Sequence, residues 1–184
     1  MSLKRLVLGM ALFAGANAAG AAQVSLLPAV QTVSVGEVFQ LTIEGSGFVD
    51  NLDGGGLDLG FDPNVLQING PATVDASWEF ASDGGSAGGP GVWKDIVFNT
   101  FSHAINGTFP IATVSFTALQ ASAGTPVVLS LNSGAAENPF GSGGNVVPVT
   151  FAGATIKVQA VPLPASLWLV VGALGAVVRK RRPG

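Results

Sequence analysis

Apolar and polar residues alternate along the middle of the chain with a period of two. Between Val38 and Glu44, Phe39, Leu41 and Ile43 fall on one side and Gln40, Thr42 and Glu44 on the other. Leu57, Leu59 and Phe61 alternate with Asp58, Gly60 and Asp62, and Ala112, Val114, Phe116 and Ala118 with Thr113, Ser115 and Thr117. Val127, Leu129 and Leu131 repeat the pattern, and Val146 to Val158 supplies a long closing segment. Successive side chains of a strand point to opposite faces, so each run predicts a half-buried strand. Between the runs stand Asp53-Gly54-Gly55-Gly56, Asn69-Gly70-Pro71, Asp83-Gly84-Gly85, Gly88-Gly89-Pro90-Gly91, Asn106-Gly107 and Gly141 to Asn145, all with turn chemistry. Asn106-Gly107 reads as a hairpin turn. The stretch Asp83 to Gly91 is the least constrained and is expected to be a mobile surface loop. No segment of residues 23–160 keeps a helical period, so the body is all-β, a sandwich or jelly roll.

The two ends break this pattern. Lys4 and Arg5 precede an apolar run, Leu6 to Gly15, and small residues follow at Ala16-Asn17-Ala18 and Ala19-Gly20-Ala21. That order predicts a secretory signal peptide over residues 1–22. A short buried helix is the alternative, but it would place Lys-Arg and an Ala/Gly-rich tail against a core.

At the other end, Val161 to Val178 is uncharged and is followed by Arg179, Lys180, Arg181 and Arg182. Eighteen helical residues span roughly 27 Å, short of a hydrocarbon core of about 30 Å. Pro162 and Pro164 suit the first turn of a helix, where N–H groups are unpaired. A marginal transmembrane helix is expected, with the basic end held in the cytoplasm.

Val161-Pro162-Leu163-Pro164-Ala165, the short apolar span and the tetrabasic end together resemble the PEP-CTERM sorting signal of Gram-negative bacteria. The usual Val-Pro-Glu-Pro core here carries Leu163 in place of Glu. The resemblance covers residues 160–184 and implies recognition by an exosortase and removal of the tail. It further implies delivery to the cell surface or extracellular matrix.

The body between the ends, residues 23–159, resembles a cohesin domain. Val24 to Leu27 is similar to its first strand, and Val33 to Phe39 to the V-x-x-G-x-x-F approach to its second. Leu57 to Ile68 (LDLGFDPNVLQI) is similar to its most recognisable segment, and Gly107 to Phe116 to a later strand. The resemblance implies a nine-stranded jelly-roll β-sandwich related to certain carbohydrate-binding modules, and binding of dockerins where the family works in cellulosomes. Read without the family, Asp62-Pro63 is a structural corner joining two strands.

Composition then narrows the chemistry. The chain of 184 residues has no cysteine, which removes disulfides, Cys-zinc sites, thiol nucleophiles and lipoprotein anchors. His103 is the single histidine, so His-rich metal centres are excluded, and it reads as a surface or core residue. Residues 23–160 carry Lys94 and Lys157 against eleven acids, a net of −9 that repels nucleic acid. The formal −3 of the whole chain is therefore an average over basic ends and an acidic middle.

Asp50-Asn51-Leu52-Asp53-Gly54 lacks the spacing and the glutamate of an EF-hand, and reads as a turn. Asp50, Asp53, Asp58 and Asp62 could still gather a weak structural Ca²⁺; no other cofactor is expected. No G-x-S-x-G stands in the chain, and Ser102-His103 adjacency is not a triad, so no enzyme is expected. Trp78 and Trp93 flank the glycine stretch and are the candidate glycan-stacking residues, with burial in the core as the other reading.

These readings converge on a non-catalytic, exported, surface-sorted interaction module. Its expected partners are an exosortase, the membrane through a transient helix, and a surface protein or polysaccharide. A carbohydrate-binding module for exopolysaccharide is the alternative, and a secreted hydrolase the second.

Overall fold

The computed structural model describes residues 22–79, 82–103, 105–132 and 140–161. The signal peptide except Ala22, the sorting residues Pro162 to Ala165, the apolar tail and Arg179 to Arg182 lie outside the described residues.

Fourteen strand segments follow one another among the described residues. The first seven are β1 (Ala22–Leu27), β2 (Val30–Ser34), β3 (Val38–Leu52), β4 (Gly54–Phe61), β5 (Leu66–Ile68), β6 (Thr73–Val74) and β7 (Asp83–Gly89). The rest are β8 (Val92–Asn99), β9 (Ile105–Ala118), β10 (Ser122–Leu131), β11 (Gly141–Ser142), β12 (Asn145–Val146), β13 (Val149–Ala152) and β14 (Ala154–Gln159). One sheet has the order β13-β1-β3-β9-β5, with β6 also on β9. The second runs β7-β8-β4-β10-β14-β2, with β11 and β12 extending from β4.

The period-two pattern explains the layers. Phe39, Leu41 and Ile43 of β3, Val114 and Phe116 of β9, Leu57 and Leu59 of β4, and Val127 of β10 are buried between the sheets. Phe39 stacks on Phe116 at 5.7 Å, and Phe98 meets Phe140 edge-on at 5.5 Å. Several consecutive strands cross between the sheets, β3 to β4 among them. β1 passes to β2 at the cis Leu27–Pro28 peptide, and β13 passes to β14 at Gly153, where a Cβ would strike the Val127 carbonyl. This crossing and an earlier one between Val146 and Val149 split the predicted closing strand, residues 146–158, into β12, β13 and β14.

Three glycine segments depart from the turn reading. Asp83 to Gly89 is not a mobile loop but strand β7, hydrogen-bonded to β8. Its glycines permit close packing: a Cβ at Gly84 would strike the Ala72 carbonyl, and one at Gly88 would meet Lys94 Cγ at 2.6 Å. Gly54 to Gly56 likewise open β4, leaving only Asp53 between two strands. A Cβ at Gly55 would crowd the Phe98 and Phe140 rings at 3.1 Å. Asn106-Gly107 lies inside β9, where Gly107 takes φ +74° at an irregularity in the β3–β9 pairing rather than at a hairpin end. The turn reading holds at Gly143-Gly144, where both φ values are positive (55° and 81°) and the β11–β12 hairpin reverses.

Strand direction sets two poles. Gln159 ends β14 beside Ser34, at the pole from which the tail departs. Ala22, Leu52, Asn99 and Gly141 stand at the opposite pole, which we call the far pole.

Candidate functional site

Glycine and valine meet across four strands on the outer face of the second sheet. Val128 of β10 lies opposite Gly60 of β4, Gly60 opposite Val92 of β8, and Val92 opposite Gly89 of β7. A Cβ at Gly60 would come within 2.9 Å of Val128 Cγ2, so the pair is already in contact distance across the strands. Val128 is 50 % exposed, on a strand whose Val127 and Leu129 face inward. This row is an apolar stripe, exposed at Val128 and Gly89 and half-buried at Gly60 and Val92.

Beside the stripe runs a charged row. Ser130 of β10 faces Asp58 of β4, and on β8 the two residues Lys94 and Asp95 share the place opposite Asp58. That extra residue is a β-bulge, and Asp95 pays for it with a φ of +64°. The Asp95 N–H donates to Asp58 Oδ1 at 3.0 Å. Asp58 is only 4 % exposed although its strand face points outward. Its carboxylate is thus part of the sheet's construction at the centre of the face. The bulge also explains why β8 escapes the alternating pattern: one inserted residue shifts the phase, so Trp93, Ile96 and Phe98 all turn inward.

Trp78 and Trp93 do not stand on this face or any other. They are 4 % and 9 % exposed and belong to the core, which corrects the glycan-stacking expectation. Trp78 packs edge-on against Phe98 at 4.7 Å and Phe109 at 5.6 Å, and its Nε1 donates to the Pro110 carbonyl at 3.0 Å. Trp93 Nε1 donates to the Gly84 carbonyl at 2.9 Å. Burial of both rings with their one polar atom satisfied is the ordinary state of a core tryptophan. A stacking platform would need an open ring face.

One cluster of reactive groups forms at the surface, and half of it was invisible in the sequence. Glu79, preceding β7, meets Ser102 and His103, which follow β8. The Ser102 hydroxyl donates to both Glu79 oxygens, 2.7 Å to Oε2, and His103 Nδ1 lies 2.5 Å from Oε1. The Ser102 bond holds the Glu79 carboxyl below the ordinary glutamate range; burial opposes it, and the His103 hydrogen bond and charge add to the lowering. A hydrolytic triad needs serine and carboxylate on opposite ring nitrogens. Here Nδ1 faces both, at 3.1 Å from Ser102 Oγ, so the serine has no base to take its proton. No gap in the sequence pattern marks Glu79; loop closure brings it there.

The acids weighed for calcium are dispersed. Asp62 caps its own corner, accepting the Asn64 N–H at 2.9 Å, Asp53 accepts the Gly143 N–H at 2.5 Å, and Asp58 sits in the sheet. Among the described residues no three His, Asp or Glu side chains gather as a metal site.

No protein-family model and no curated protein sequence matches this chain. Solved structures do. The seventh ScaB type I cohesin from Pseudobacteroides cellulosolvens aligns with a TM-score of 0.59 and 17 % identity, covering 78 % of this chain and 96 % of that one. The sixth cohesin of Acetivibrio cellulolyticus scaffoldin B, solved with a Cel5 dockerin, aligns at 0.62 and 13 % identity, covering 76 % and 99 %. The non-cellulosomal cohesin from the archaeon Archaeoglobus fulgidus aligns at 0.57 and 16 %, covering 76 % and 91 %.

The chain has the cohesin fold. At these identities the likeness is one of fold alone. The jelly-roll sandwich expected from FDPNVL and its neighbours is present, in fourteen segments among the described residues rather than nine strands, with short pieces such as β6, β11 and β12 adding to the number. Within the cohesin fold the apolar stripe lies on β7, β8, β4 and β10, all strands of one sheet.

Proposed function

We propose that the protein is a non-catalytic interaction module, exported and sorted to the cell surface, that binds a protein partner through the outer face of its second sheet. The observation that carries this is the Val128–Gly60–Val92–Gly89 stripe, an apolar row across four strands bordered by the Asp58 row. Open apolar surface rimmed by polar groups is the mark of an association site. Modules of this fold have been solved bound to dockerins, which supports a protein as the partner. Val128→Asp tests it in the full chain: chemical crosslinking at the native cell surface should join the parent protein to a partner and fail for the variant. Crosslinking that survives the substitution overturns the assignment.

Localisation rests on the two ends. A Sec-type signal peptide over 1–22 and the Val161-to-Ala165 motif with its basic end support export, transient inner-membrane anchoring and exosortase processing. Mass spectrometry of the mature protein from its native host should find a C-terminus upstream of Arg179. An intact Arg179-Lys180-Arg181-Arg182 end would refute processing.

The carbohydrate-binding alternative loses its stacking residues with the burial of Trp78 and Trp93. The Glu79–Ser102–His103 cluster does not support a serine hydrolase, because serine and carboxylate meet the same ring nitrogen.

A further inference from the structure

Two Asn-Gly pairs stand in the chain, Asn69-Gly70 after β5 and Asn106-Gly107 in β9. In this dipeptide the backbone nitrogen readily attacks the preceding side chain, because glycine has no Cβ to shield that nitrogen. Both asparagines are exposed, and a Cβ at either glycine would meet nothing within 4 Å. Neither sequence nor access separates the two sites.

Hydrogen bonding does. The Asn69 side chain is held at both ends of its amide: Nδ2 donates to Ser115 Oγ at 3.1 Å, and Oδ1 accepts the Thr117 hydroxyl at 2.8 Å. Its backbone N–H donates to the Ser115 carbonyl at 2.9 Å, which fixes the residue against β9. Among the described residues the Asn106 amide makes a single bond, from Nδ2 to Asn51 Oδ1 at 2.7 Å. Strand pairing lapses there as well. β9 passes from the Ile105–Leu52 pair to the Gly107–Phe48 pair through Asn106 alone, while β3 takes three residues, 49–51, over the same interval. Asn106 thus faces a bulge rather than a paired residue, and Gly107 follows it at φ +74°.

We propose that Asn106 is a self-modification site, where the Gly107 backbone nitrogen displaces the side-chain amide and the far pole gains a carboxylate with time. The deprotonated Gly107 nitrogen forms a bond to Asn106 Cγ, the Cγ–Nδ2 bond breaks, and Nδ2 leaves as ammonia after taking a proton from water. Water then opens the succinimide ring at Cγ, giving aspartate, or at the backbone carbonyl carbon, giving isoaspartate. Either product lacks the donor that Asn106 offers Asn51. Isoaspartate also carries the β9 backbone through an extra methylene, at a place where pairing with β3 is already interrupted.

The test holds the full chain in neutral detergent and mildly alkaline buffer made with water enriched in heavy oxygen, and follows both sites by peptide mass spectrometry. Asn106 should convert at least about fivefold faster than Asn69, the effect of roughly one further hydrogen bond that must break before attack. The product at Asn106 should carry heavy oxygen, and an isoaspartyl methyltransferase should label its peptide. In urea, where both sets of hydrogen bonds are gone, the two rates should converge. Thr117→Val removes one bond from the Asn69 amide, and should quicken Asn69 while leaving Asn106 unchanged. Asn106→Gln should abolish the label at that position, because the longer side chain would have to close a larger ring. Asn69 converting as fast as Asn106 in the folded chain, or Asn106 converting only in urea, would overturn the proposal.

Discussion

The Asp95 backbone N–H donates to Asp58 Oδ1 at 3.0 Å, tying the bulge of β8 to the centre of β4. Removing the carboxylate leaves a buried donor without that acceptor, which costs about 1–3 kcal/mol. Asp58→Ala should therefore lower the urea unfolding free energy by that amount, and Asp58→Asn by less, because an amide oxygen can still accept. If Asp58→Ala unfolded at the parent's urea midpoint, the bulge would not depend on this bond.

Asp95 itself takes φ +64°, a conformation that costs most residues about 1–2 kcal/mol. Glycine adopts it freely, although it also gains freedom in the unfolded chain. Asp95→Gly should hold stability near the parent, whereas Asp95→Val, with a β-branched side chain, should lose about 2 kcal/mol. Parallel denaturation curves of the two variants check the order.

Much of the sandwich was legible in the chain, and the misses share one cause. Strands that alternate strictly, such as Phe39-Gln40-Leu41-Thr42-Ile43, reveal both their existence and their buried face. β8 did not, because Lys94 and Asp95 together occupy one place and break the phase. β7 did not, because Gly84, Gly85 and Gly88 read as freedom when they answer to crowding from Ala72, Trp93 and Lys94. A local pattern carries local backbone preference; it does not record which distant backbone will approach. The same limit governs the functional surfaces. The Val128–Gly60–Val92 stripe and the meeting of Glu79 with Ser102 and His103 exist only through strand register and loop closure.

Trp78 fills the core between Phe98 and Phe109 and supplies the Pro110 carbonyl with a donor. Trp78→Ala should cost about 3–5 kcal/mol, the range for truncating a large buried aromatic. Trp78→Phe keeps most of the apolar volume but loses the donor, and should cost less. Urea denaturation of the two variants beside the parent checks this order. A Trp78→Ala variant as stable as the parent would show that the core does not depend on this ring.

Glu79 links the segment before β7 to the turn after β8, and its carboxyl is held low chiefly by the Ser102 hydroxyl. A depressed folded-state pKa means that the charged form is favoured by the native contact. The contact therefore contributes fully above the unfolded glutamate range and is lost as pH falls through the lower folded value. Both partners are exposed, so solvent screens the pair and the effect is local rather than global. Carbon-detected NMR titration should place the Glu79 midpoint below that of an ordinary glutamate, and Ser102→Ala should move it upward. Amide exchange around Phe101 should quicken below the Glu79 midpoint in the parent, and at neutral pH in Glu79→Gln. Exchange indifferent to both would show that Thr100 and Asp53 alone hold the loop.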